Sequence, residues 1–503
     1  MRPAFRILCL AIAIVPTVHA QSWSLESRGG ALGAPLSFTI DGDANRPYFL
    51  LFDLTEQTTP LPGGLASLDI GLRFLGIASG LPGFVGTLDA QGQRSIATSL
   101  PNDPRLDGRR LSFQALATDA LDTVSDLVRV VGQPVETSRP TLDSLDLSIA
   151  ANGATTTLAD GRELILSALS PVVQIFDPKL EEWTSFPLLC PVPLLASVTP
   201  LPDGRILVAG GLGLDGQPID QATVIDPSVP SCTGFQMSIA RAGHAAAMTG
   251  NGEVLLTGGF EVIDTSGILQ LFGGLRASSE LFDPSTGTFR SGTSMLEPKA
   301  LHTATTNGSG DVVVAGGLTL LPIINIPFVS NTAYLWDTSS DAFAILPQLF
   351  TTGRMLHSAT RLDNGRVLLV GGVTIDFTAF LDSGDPADLA LTSLADGEEW
   401  RSSFFGGSFT HVSGLQVPRA LPAVIALPGG EALVAGGLEL TLKGNLSEIT
   451  FNARDEADLY AGQSFRATGS LTAPRLAPFG AALSNDGILI LGGGGNTAEI
   501  YRR

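Results

Sequence analysis

Ser279-Glu280-Leu281-Phe282-Asp283-Pro284, Gly287-Thr288-Phe289, Lys299 and His302, then Val312-Val313-Val314-Ala315-Gly316-Gly317 form one period of a repeat. Short apolar runs separated by turn residues read as antiparallel strands. The glycine doublet recurs at Gly210-Gly211, Gly258-Gly259, Gly316-Gly317, Gly371-Gly372, Gly436-Gly437 and Gly492-Gly493, at intervals of 48, 58, 55, 65 and 56 residues. The aromatic-Asp-Pro element returns as Phe176-Asp177-Pro178 and more loosely as Ile225-Asp226-Pro227 and Trp336-Asp337-Thr338. Tyr460 and Tyr501 fill the same slot. A basic residue and a His three apart open the next strand at Arg241/His244, Lys299/His302 and Arg354/His357; Arg419/Pro422 and Arg475/Pro478 keep only the base. Asp203-Gly204, Asn251-Gly252, Asn364-Gly365 and Asp486-Gly487 then supply hairpin turns that need positive φ.

Together these motifs, over residues 141–503, resemble the kelch repeat of bacterial secreted proteins. The resemblance implies a β-propeller, in which blades stack about an axis because one blade cannot bury both faces alone. Counting second strands gives seven blades, the first lacking its glycine doublet, with six as the alternative. The last repeat ends after its third strand, and Thr141 to Leu147 is the expected source of the missing outer strand. Residues 21–132 lack the repeat; Leu36 to Ile40, Tyr48 to Phe52 and later alternating segments read as a small β-sandwich-like domain. Residues 133–140, Gln133-Pro134 to Arg139-Pro140, read as a linker.

The chain has 503 residues with 58 Gly and 32 Pro, suited to turn-rich all-β structure. Its net charge of −20 opposes phosphate backbones and anionic lipid, so no nucleic-acid partner is expected. Residues 1–20 read as a signal peptide: Arg2 and Arg6, apolar Ile7 to Val15, then Val18-His19-Ala20. No stable membrane insertion is expected beyond it, and the localisation read from it is secreted, either extracellular or periplasmic. An exported protein could pair Cys190 with Cys232, which leaves the pairing open; their placement on opposite blade rims favours two free thiols over a bond.

The kelch resemblance also brings in the galactose-oxidase-like copper oxidases, which join a β-domain to such a propeller and require two Tyr, two His and a Cys cross-linked to one Tyr. Here His244, His302 and His357 share one repeat slot, as do Tyr460 and Tyr501, which argues for packing; His411 stands alone. Asp41, Asp43 and Asn45 alternate like calcium ligands but lack the bidentate Glu, and read as a polar turn. No Gly-x-Ser-x-Gly elbow appears, and Gly492 to Gly495 has no following helix to make a phosphate loop. The expectation is therefore no catalytic, cofactor-binding or metal site, no cofactor and no enzyme.

Four successive repeats carry insertions between second and third strands: Glu261 to Ala277, Thr319 to Ser330, Thr374 to about Gln416, and Glu439 to Glu456. All emerge on one rim and bring Ile268, Leu269, Leu271, Phe272, Ile323, Ile324, Ile326, Phe328, Trp400, Phe404, Phe405 and Phe409. Such a cluster marks a contact surface, or packs on itself or on the N-terminal domain. The expected function is a secreted, non-enzymatic binding protein recognising a protein or envelope ligand there. A carbohydrate-binding or carbohydrate-acting propeller is one alternative, hinted at by Trp400, Asp382/Asp385/Asp388 and Glu398/Glu399; a galactose-oxidase-like copper oxidase, implied by the resemblance, is the other.

Overall fold

The computed structural model describes residues 23–503 except 62–65, 120, 142–152, 169, 189, 191, 229–230, 264–273, 321–326, 347–349, 377–381, 384–389, 404–405, 443–448 and 494–496. The signal segment and Thr141 to Leu147 beyond Thr141 thus lie outside the described residues. The chain divides into two compact units.

The first unit, of the described residues within 23–28, 35–101 and 108–132, carries a three-stranded sheet, a four-stranded sheet and a two-stranded hairpin. Pro35–Asp41 of the first sheet turns Phe38 inward onto Phe113 of Arg110–Ala117 in the second, ring centroids 4.5 Å apart. Apolar alternation on both sheets thus closes a sandwich-like core.

The second unit is a β-propeller. Among its described residues, seven four-stranded antiparallel sheets follow in chain order. Sheet 3 is representative: Ala245–Met248, Val254–Thr257, Ser279–Asp283, Thr288–Ser291. The second strand of each sheet is buried along its whole length, or nearly so, because neighbouring sheets cover both of its faces, which is why it reads as a continuous aliphatic run. Each inner strand lies against the inner strand of the next sheet, and the last, Phe479–Ala482, lies against the first, Gly153–Thr157.

Three expectations are corrected. The presumed linker is structured: Thr137–Pro140 pairs antiparallel with Glu499–Arg502 and completes sheet 7. Proline is tolerated there because the strand is outermost and one backbone edge needs no partner. Thr141 follows it and donates its N–H to Ala498 O. Second, the third and fourth strands of sheet 5 are Gly397–Arg401 and Ser408–Val412, so that insertion is shorter than expected. It pairs with the insertion of sheet 6 in an additional sheet, Val373–Asp376, Ala390–Ser393, Leu438–Leu442, Ile449–Ala453. Third, Cys190 and Cys232 are disulfide-bonded, Cα atoms 6.3 Å apart. The connection leaving sheet 1 runs back down the seam, where Leu188, Cys190 and Val192 pack with Ile206 and Ile225; Cys232 stands opposite Ile225.

Candidate functional site

The glycine doublets set the geometry of the seams. A Cβ at Gly258 falls 2.2 Å from Lys299 O and 2.8 Å from His302 Cε1; one at Gly259 falls 2.8 Å from His244 Cβ. Both glycines have positive φ. The doublet is therefore pressed between its own sheet's His slot and that of the next. The second glycine donates its N–H across the seam to the next basic residue, as Gly259 to Lys299 O at 2.7 Å.

The basic side chains turn back into their own sheets. Arg241, Arg354, Arg419 and Arg475 are fully buried. Arg241 pairs with Glu280 (3.2 Å), Arg354 with Asp396 (3.1 Å), Arg419 with Asp458 (2.8 Å) and Arg475 with Glu499 (2.9 Å). Each also donates to the carbonyl of a doublet's first glycine. In sheet 4 both partners change together: Lys299 replaces Arg, Tyr334 fills the acid position, and the ammonium lies 5.6 Å from that ring's centroid. Glu280, Asp458 and Glu499 stand two residues before the third-strand aromatic, a spacing present in the sequence; in sheet 5 that position is Glu398, 3.9 Å from Arg354.

The three slot histidines are buried, and their Nε2 atoms bond to Ser197, Thr257 and Thr303 hydroxyls of the preceding sheet at 2.8–2.9 Å. Burial, reinforced by the adjacent cations, lowers the His244 and His302 pKa to about 3 and His357 well below its usual value. All three imidazoles are neutral at pH 7.

Between basic residue and histidine lies a position absent from the sequence-based expectations. Leu195, Leu301, Leu356, Leu421 and Ala477 occupy it with φ of 57°, 56°, 53°, 48° and 48°, and Gly243 with 61°. Leu301 N–H donates to Gly243 O, Gly243 to Leu195 O, Leu356 to Leu301 O and Leu421 to Leu356 O, at 2.8–3.2 Å. This hydrogen-bonded arc rings a cavity of about 410 Å³ at the channel mouth. The inner strands begin where the second strands end, so the mouth opens on the rim that bears the insertions. His244, His302 and His357 wall one side; Pro422, Pro478 and Phe479 wall the other. Among the described residues that line it, none is Asp, Glu, Lys or Arg.

Other predicted residues fall elsewhere. Trp400 and Phe409 are buried in the seam core of sheet 5. Glu399 is buried and receives the Tyr460 hydroxyl and Arg401. Ile268, Leu269, Leu271, Phe272, Ile323, Ile324, Ile326, Phe404, Phe405, Asp385 and Asp388 lie outside the described residues. In the first unit Asp43 accepts from Trp23 Nε1 and Arg46.

A copper centre of the oxidase type does not fit these residues. The histidine Nε2 atoms are engaged by hydroxyls, both described cysteines are in the disulfide, and Tyr334, Tyr460 and Tyr501 are core groups. Among the described residues no group of three or more His, Cys, Asp or Glu is placed to hold a metal ion. Nor is any described helix long and apolar enough to cross a membrane.

No family model and no curated protein sequence matches the chain. Solved structures similar to it include that of YjhT, at 15% identity and TM-score 0.45, covering 62% of this chain and 99% of that one. Another is a fungal alcohol oxidase of the AA5 family in complex with copper, at 15% identity and TM-score 0.48, covering 73% and 74%. The expectation that the chain is no enzyme is not upheld, one structure similar to it being that of an oxidase, a likeness that shows the fold alone.

Proposed function

We propose that this protein is a binding propeller that receives an uncharged, apolar group of a protein or envelope ligand at the channel mouth. The observation that carries this is the row of leucines in left-handed backbone. Leu195, Leu301, Leu356 and Leu421 hold a conformation that Gly or Asn adopts at lower cost. Backbone strain of this kind is kept where the side chain is needed. The cavity is within the range of ligand sites, and the described residues of its wall offer no counter-ion despite the chain's net charge of −20. A charged group placed there loses its hydration without compensation. Trp400, which prompted the carbohydrate alternative, is buried, so no observation favours that reading.

The test is fluorescence titration of the mature protein with N-phenyl-1-naphthylamine, an uncharged apolar probe. Binding weakened at least tenfold by Leu356→Asp, with an unchanged folded signal, supports the reading. Affinity equal in both proteins rejects it.

A further inference from the structure

Sheet 2 is the exception among the braced sheets. By strand register its basic slot holds Pro193, its His slot Ala196 and its acid position Thr223. The inbound connection of sheet 2 therefore lacks the buried cation that ties the corresponding connections of sheets 3 to 7 to their own third strands or glycine carbonyls. It has the disulfide instead. Cys190 lies in that connection, and Cys232 lies on Ser231–Gln236, the outer strand of sheet 2. Four and five residues beyond Cys190 stand Leu194 and Leu195, both lining the mouth and 42% and 37% exposed. Apart from the disulfide, Leu194 is held through its carbonyl, which accepts Leu212 N–H at 2.8 Å. Leu195 is held through its carbonyl, the last acceptor of the blade-to-blade arc.

We infer that the Cys190–Cys232 disulfide is a redox latch on the channel mouth, fixing the Leu194–Leu195 wall only while oxidised. The inference rests on the proposed binding role of that mouth. A dithiol reductant opens the latch by thiol–disulfide exchange: the S–S bond takes up two electrons and two protons, giving two thiols, and the dithiol leaves as its own cyclic disulfide. In an oxidising compartment the latch stays shut. Once it opens, residues 192–196 keep only backbone bonds and packing. In the braced sheets the side-chain ties contain no reducible bond. The mouth therefore loses one wall and keeps the others.

The test uses the mature protein oxidised, reduced with dithiothreitol, and as Cys232→Ser. Hydrogen exchange is followed over residues 192–236 and 431–461, alongside titration with N-phenyl-1-naphthylamine. The expected result is exchange at least tenfold faster over 192–200 on reduction, unchanged exchange over 431–461, and probe affinity lowered at least threefold. Cys232→Ser should match the reduced protein and ignore the reductant. Reduction that leaves both exchange and probe binding unchanged overturns the latch. A probe that fails to bind the oxidised protein overturns the binding reading instead. The exchange measurement still decides whether the disulfide holds the wall.

Discussion

The interior of sheets 3 to 6 and the seam where sheet 7 meets sheet 1 solve the same packing problem by different means. In the interior, each solution repeats: a glycine doublet, a buried cation, a third-strand acid or its substitute, and a neutral imidazole or proline. The closing seam keeps the Gly492-Gly493 doublet and the Arg475–Glu499 pair, and its described residues add contacts that the interior sheets do not have. The outer strand Thr137–Pro140 comes from the other end of the propeller sequence. Fully buried Glu181, at the turn of sheet 1, receives Arg139 at 2.5 Å, with Arg502 at 4.0 Å. Glu163 stands opposite the third-strand aromatic Phe176, a register position held by an aliphatic side chain in the other sheets, Ala432 and Ile488 among them; only Thr157 donates to it, and burial pushes its pKa up to about 7. Repetition therefore marks the slots that hold the ring and also the left-handed arc at its mouth, whereas departures mark where the ring is joined.

The largest effect should come from breaking the interior brace. Arg419→Met leaves the Asp458 carboxylate buried without its cation and should destabilise the propeller by about 3–5 kcal/mol in urea unfolding. Next, Gly258→Ala places a methyl against Lys299 O and should cost about 2–4 kcal/mol. Gly252→Ala, with similar positive φ but open space, should cost only about 1 kcal/mol. Equal losses at the two glycines would show that backbone conformation alone, not the seam, demands glycine.

At the closing seam, Glu181→Gln should cost about 2–3 kcal/mol and release Thr137–Pro140 first, seen as faster exchange there than in sheets 3 to 6. The smallest effects separate the regions by pH. The histidine pKa values are lowered on folding, so the unfolded chain binds more protons, and stability falls as pH drops below about 6.5. The slope is up to about 1.4 kcal/mol per pH unit for each histidine. Glu163 has the opposite sign. Its contribution is fully present below its unfolded value of 4.5 and is lost as pH rises through about 7. His302→Asn should reduce the loss of stability between pH 6.5 and 3, and Glu163→Gln the opposing slope between pH 4.5 and 7; where the windows overlap, the two variants should differ from the parent protein with opposite sign.

What was legible in the sequence follows the same division. Glycine doublets, Asp-Gly and Asn-Gly turns and four-residue aliphatic runs act locally, so the propeller could be read from them. The acids Glu280, Glu398, Asp458 and Glu499 stood at constant spacing but gave no local signal, since their role appears only when the third strand lies beside the basic residue. The left-handed leucines were equally hidden, because no local preference of leucine announces that backbone. The disulfide, the closing strand and the sheet shared by two insertions depend on pairing between distant segments. Pro134 and Pro140 made the closing strand look like a linker, and Cys190 reached Cys232 because its connection turned back into the seam.

The proposal that the buried cation slots hold the ring while the leucine slots at the mouth do the binding is tested most directly by measuring two quantities on two variants. Urea stability and affinity for N-phenyl-1-naphthylamine are determined for Arg419→Met and Leu421→Asp. Arg419→Met should lose stability and bind normally while folded. Leu421→Asp should keep most of its stability and lose at least tenfold in affinity. Affinity lost with the brace and retained at the mouth would contradict the account.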